Sequence, residues 1–140
     1  MRIGFLGGGN MGGALMQGLT TAENSGFSAI AAYDPSPASR ERLAAMGVET
    51  VESAQELFDS CDAIVLAVKP QILRGAVEPY AGALTGKLVI SIAAGWTIAQ
   101  LKELLPEGTR ILRAMPNVSL NINTTFRLSK IAPINYSQTK

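Results

Sequence analysis

One feature near the amino terminus limits what this chain can fold into. The apolar run Ile3-Gly4-Phe5-Leu6 passes directly into Gly7-Gly8-Gly9-Asn10-Met11-Gly12, and Met11, Ala14, Leu15 and Leu19 then recur at helical spacing. A strand, a G-x-G-x-x-G turn and a helix in that order open a βαβ unit. Each glycine has a separate task there. Gly7 permits the tight turn, Gly9 lets a pyrophosphate approach the backbone, and Gly12 lets the helix pack close on the strand. Free N–H groups and the positive end of the helix dipole then favour a phosphate. The same letters also describe a plain glycine-rich link, so the motif is read with its surroundings.

The next apolar run, Ala29–Tyr33, ends at Asp34, twenty-two residues beyond Gly12. A ribose-binding carboxylate is expected at an offset of about 20 residues. Such a carboxylate accepts from a 2′-OH and repels a 2′-phosphate. Asp34 also starts an Asp-Pro turn, and the two roles are compatible. Ser36, Ser39 and Arg40 follow, and Arg40 is a cation able to pair a 2′-phosphate. NAD and NADP both stay open, with Asp34 alone leaning towards NAD.

Further along, Ser36 as N-cap and Pro37 at the first turn predict a helix. Leu43, Ala44 and Met46 would form its inner side and Gly47 its end. Val48–Val51 predicts a short strand, and Ser53-Ala54-Gln55-Glu56 a capping box. Ala63–Val68 and Leu88–Ile92 are continuous apolar runs of the kind buried on both faces of a parallel sheet. Ile111–Met115 is a weaker one. Helices are predicted over Gln71–Ala83 and Ile98–Leu105, the latter capped by Thr97. Strand and helix patterns thus alternate, which predicts stacked βαβ units. The expected fold is α/β: a Rossmann-type doubly wound parallel sheet in a single domain, with strand order 3-2-1-4-5-6.

Ligands of open α/β sheets sit at the carboxyl ends of the strands. Ala67-Val68-Lys69-Pro70 stands at one such end, where Lys69 can contact a ribose hydroxyl, attract an anion or simply cap an edge. Ser91-Ile92-Ala93-Ala94-Gly95 stands at another, and its small residues suit either a flat ring or tight packing. Asn117, closing Met115-Pro116-Asn117, offers both donors and acceptors. Cys61, Met11 and Met16 are read as structural, and Trp96 as packing over the sheet edge in preference to bordering a cleft.

Composition removes whole classes of chemistry. The 140 residues contain no histidine, so imidazole acid–base catalysis and histidine metal sites are excluded. One cysteine leaves no internal disulfide and no thiolate zinc cage. A formal charge of +1 gives no reason to expect nucleic acid. No apolar run approaches the roughly 20 residues of a membrane span, and a cytoplasmic location is expected. All eleven acidic residues precede Asn117, whereas three of the twelve basic ones follow it. Residues 118–140 read as a polar, basic tail appended to a dinucleotide-binding domain over 1–117.

Four co-linear blocks carry a resemblance: Ile3–Met11, Leu66–Gln71, Val89–Gly95 and Arg113–Asn117. Together they resemble the N-terminal domain of pyrroline-5-carboxylate reductases, with matching spacing along residues 1–117. The resemblance implies reduction of 1-pyrroline-5-carboxylate to L-proline, in proline biosynthesis, with NADPH or NADH. It further implies that Leu6, Gly7, Gly8, Gly9, Asn10, Met11, Asp34, Ser36, Ala67, Val68, Lys69, Pro70, Ala93, Ala94 and Gly95 line the cofactor and that Asn117 faces the substrate. No residue is firmly assigned to catalysis, and Lys69 is a candidate for positioning. The protein's part in such a reaction is orientation, electrostatics and water exclusion.

Two departures accompany the match. Ala54 stands where many members carry an Asn on the adenosine side, and after Asn117 the chain reads Val118-Ser119-Leu120-Asn121 in place of Thr-Pro and a glycine-bearing strand. The helical domain through which the family forms homo-oligomers is not found here. The expectation is therefore a truncated, cofactor-holding half whose own turnover is in question. The alternatives are a non-catalytic dinucleotide-binding module, or another reductase of this fold, F420-type or hydroxyacid dehydrogenase.

Overall fold

A computed structural model describes residues 1–21, 27–93 and 95–113. The expected site residues Ala94 and Asn117, and the tail over 118–140, lie outside the described residues.

Strands and helices alternate along the chain: β1 (Arg2–Leu6), α1 (Asn10–Thr21), β2 (Ala29–Tyr33), α2 (Pro37–Ala45), β3 (Glu49–Thr50), α3 (Ala54–Ser60), β4 (Ala63–Leu66), α4 (Leu73–Val77), β5 (Leu88–Ser91), α5 (Ile98–Leu104) and β6 (Arg110–Arg113). The strands form one six-stranded sheet in the order β3-β2-β1-β4-β5-β6. Every pairing is parallel, as the continuous apolar runs predict. Leu6 lies opposite Tyr33 and Leu66, and Leu66 opposite Ser91, so the carboxyl ends of β1, β2, β4 and β5 line up along one edge. The strand order reverses between β1 and β4, where an open sheet leaves a crevice.

β4 and β5 are buried along their whole lengths, and their residues alternate between two apolar layers. Ile64, Leu66 and Val89 face Leu57, Phe58, Leu73 and Leu101, from α3, α4 and α5. Ala63, Val65 and Ile90 face Leu15, Met16, Leu19 and Leu43, from α1 and α2. Each fully buried Leu, Ile, Phe or Met contributes about 1.5–3 kcal/mol relative to exposure. At the far edge Arg2 pairs with Glu49, linking β1 to β3 across β2. The hydrogen bond that Arg2 donates to Glu49 raises the arginine pKa above its ordinary value.

Several local expectations are refined. In α1, Ala14 is exposed and Met16 takes the inner position beside Leu15 and Leu19. In α2, Leu43 is buried while Ala44 is exposed and Met46 half-buried. The helix expected over Gln71–Ala83 is α4 followed by a 3-10 segment, Glu78–Leu84. Pro79 is the cause: it has no N–H to give the carbonyl four residues back, and its ring crowds that turn. The capping box at Ser53 is half formed. Ser53 accepts from the Glu56 N–H, but the Glu56 carboxylate accepts from Glu52 instead of the Ser53 N–H.

Candidate functional site

The crevice between β1 and β4 opens into a cleft of about 500 Å³ at the carboxyl edge of the sheet. Four segments build it from the ends of consecutive strands: Leu6–Gly9 after β1, Tyr33–Pro35 after β2, Ser53 and Ala54 at the start of α3, and Ala67–Lys69 after β4. Asp34 and Lys69 are the charged side chains on this wall. Neither stands on a helix or strand, so the parallel register fixes their positions only up to the loop that follows.

Two glycines carry the geometry of the turn. Gly7 adopts φ +103°, closed to most side chains, and a Cβ there would lie 2.9 Å from the Ala67 carbonyl oxygen. A Cβ on Gly12 would lie 2.8 Å from the Gly7 oxygen and 3.1 Å from the Ala67 Cβ, so α1 rests directly on the turn and on β4's end. Around Gly9 the space is open. The turn's own N–H groups are partly engaged: Gly7 donates to the Tyr33 carbonyl at 2.9 Å, and Gly8 to Asp34 Oδ2 at 2.8 Å. A phosphate would therefore have room at the Gly9 face, beside the first turn of the twelve-residue helix α1.

The expected residues divide into two sets. Leu6, Gly7, Gly8, Gly9, Asp34, Ala67, Val68 and Lys69 come together on the cleft wall. Asn10 and Met11 open α1, and Gly12 stands behind the turn as its packing residue. Ser36 caps α2, accepting from the Ser39 N–H at 3.4 Å, and does not line the cleft. Pro70 is also off the wall, where its carbonyl accepts from Trp96 Nε1 at 2.8 Å. Trp96 packs half-buried against the core, with the Arg74 guanidinium 5.5 Å from its ring centre. Ala93 is buried and Gly95 exposed, both beyond the cleft wall. Cys61 is buried and in no disulfide, with the Ser60 hydroxyl 3.8 Å from its Sγ.

One side of the cleft was not expected. Ile72, Gly75, Ala76, Pro79 and Tyr80 form an apolar bank lining the cleft with Tyr33 and Val68, and Ile72 and Tyr80 are exposed large apolar side chains. Their spacing follows one side of a helix, while Leu73, Val77 and Leu84 follow the buried side. A helical run apolar on two faces is the signal that points to this bank.

The cleft therefore combines a glycine turn, an exposed edge for phosphates, a carboxylate at ribose distance in sequence and an apolar slot. These fit a dinucleotide. Among the described residues no group of acidic or cysteine side chains could hold a metal ion, and no helix is long and apolar enough to cross a membrane.

Comparison with known proteins agrees with this geometry. Residues 2–95 match the family described as NADP oxidoreductase coenzyme F420-dependent. Pyrroline-5-carboxylate reductase 3 of Macaca fascicularis is 39% identical over 118 residues, which cover 84% of this chain and 43% of that protein. The solved pyrroline-5-carboxylate reductase of Coxiella burnetii superposes with a TM-score of 0.74 at 33% identity, covering 82% of this chain and 43% of that one. The NADP-bound pyrroline carboxylate reductase of Plasmodium falciparum superposes with the same score at 27% identity, covering 94% and 53%. This chain spans less than half the length of the curated relatives it matches. The chain belongs to the NADP oxidoreductase coenzyme F420-dependent family, and its relatives by sequence are pyrroline-5-carboxylate reductases.

Proposed function

We propose that this chain holds NAD or NADP for the reduction of 1-pyrroline-5-carboxylate to L-proline, acting in the cytoplasm. The observation that carries this reading is the open face of Gly9 on a strand–turn–helix at the point where the strand order reverses. Gly9 and the first turn of α1 would hold the diphosphate, Asp34 the adenosine ribose, and the bank from Ile72 to Tyr80 the adenine. Lys69, exposed at the rim, would orient the nicotinamide side or draw in an anionic substrate. When bound, the reduced nicotinamide supplies the hydride that an imine carbon accepts. The chain's own residues bind and orient, and the apolar bank keeps water from one side of the slot. A single buried cysteine in no disulfide suits a reducing compartment.

Isothermal calorimetry with NADH and NADPH tests the binding half. Saturable heat with at least one of them is expected, and a folded chain that gives none with either overturns the reading. Nicotinamide absorbance in the presence of 1-pyrroline-5-carboxylate tests the reaction. Oxidation above the protein-free rate is expected when the reacting site is complete, and a background rate from cofactor-saturated chain assigns these residues to binding alone.

A further inference from the structure

Both backbone polar groups of Gly8 are held by charged side chains from the segment after β2. The Gly8 N–H donates to Asp34 Oδ2 at 2.8 Å, and the Gly8 carbonyl accepts from Arg42 Nη2 at 2.6 Å. The second Asp34 oxygen accepts from the Ser36 N–H at 2.8 Å, so the same carboxylate fixes the start of α2. Gly8 is buried and Asp34 half-buried. Charge-assisted hydrogen bonds in such surroundings are shorter and roughly twice as strong as neutral ones. The result is a bracket: an anion grips one side of the turn and a cation the other, and both come from the segment that would surround the adenosine ribose.

We propose that Arg42 is a positioning residue of the dinucleotide site, which with Asp34 fixes the Gly8 backbone, while the Asp34 carboxylate makes the site prefer NADH to NADPH. This rests on the dinucleotide reading above. The preference follows from what the two charged groups on Gly8 are already doing. Two protein N–H groups hold the Asp34 carboxylate on the cleft wall, and a 2′-phosphate beside it would set like charges together. Arg42 is engaged through Nη2 on the Gly8 carbonyl, and swinging its guanidinium towards that phosphate would loosen the turn. A 2′-hydroxyl needs neither concession, since an ionised carboxylate has about four acceptor sites and two are in use.

Calorimetry on the full 140-residue chain tests this with NADH and NADPH as probes. The wild type is expected to bind NADH about tenfold more tightly, the effect of one unfavourable charge pair at a partly buried site. Arg42→Met should weaken both cofactors by a similar factor, about five- to tenfold, leaving their ratio unchanged. Arg42→Lys, whose ammonium still donates to a carbonyl, should recover most of that loss. Asp34→Ser should reduce the preference for NADH. Because Arg42 is exposed, circular dichroism should show a folded variant, and Arg42→Gln offers the same comparison if Arg42→Met does not fold. The proposal is overturned by a selective loss of NADPH in Arg42→Met, which would make Arg42 a phosphate ligand. It is equally overturned by unchanged affinities in that variant, or by a wild type that prefers NADPH. A folded wild type that binds neither cofactor overturns the dinucleotide reading itself, and the bracket's role with it.

Discussion

Within the glycine turn, neighbouring residues of the same type carry different loads. Gly12 has no room: a Cβ would press on the Gly7 carbonyl oxygen, which is backbone and cannot rotate away. Gly9 has open space where a Cβ would stand and no positive φ. Gly12→Ala should therefore cost about 1–3 kcal/mol of stability, the range for overpacking a rigid site, and shift the turn as well. Gly9→Ala should leave the melting temperature nearly unchanged yet lower cofactor affinity, since its methyl would stand where the diphosphate approaches. Thermal melts and calorimetry on the two variants separate these effects. A Gly9→Ala chain that binds NADH and NADPH as the wild type does would move the diphosphate away from this turn.

Helix ends separate in the same way, by how completely each cap is built. At α5 the Thr97 hydroxyl accepts from the Gln100 N–H at 3.1 Å while the Gln100 side chain accepts from the Thr97 N–H at 2.9 Å. At α2 the Ser36 hydroxyl accepts from the Ser39 N–H alone, at 3.4 Å. Thr97→Ala should thus cost about 1 kcal/mol and Ser36→Ala well under half of that, by urea denaturation. Equal losses would mean that the reciprocal bond at Thr97 adds nothing. These caps were readable from Thr97 and Ser36 because a cap is a local signal, spanning three or four residues. The same holds for the strand order, which follows from alternation and the handedness of βαβ connections. What could not be read was set by distance along the chain. Arg42 meets Gly8 across thirty-four residues, and no spacing rule places a guanidinium on a carbonyl so far away. The apolar bank was hidden for a different reason. Ile72, Ala76 and Tyr80 were absorbed into one long expected helix, whereas Pro79 converts its second half to a 3-10 segment.

At the scale of the whole molecule, the two apolar layers lie on opposite faces of one sheet. β4 and β5 send alternate residues to each layer, so opening either layer strips one face of the central strands. That geometry requires the layers to unfold together, although among the described residues no helix of one contributes a buried side chain to the other's cluster. Trp96, the single tryptophan, packs against the layer built by α3, α4 and α5, while Met16 is wholly buried in the layer built by α1 and α2. Tryptophan fluorescence thus reports one face, and a substitution at Met16 perturbs the other. Met16→Ala should cost about 2–5 kcal/mol, as buried large-to-small changes do, and should lower the fluorescence midpoint by as much as the far-ultraviolet dichroism midpoint. Coincident midpoints are the mark of a single transition. A fluorescence midpoint left in place while the dichroism midpoint falls would show the layers separating. The cleft, which draws Leu6 and Val68 from one layer's side and Ala67 from the other's, would then open before the sheet does.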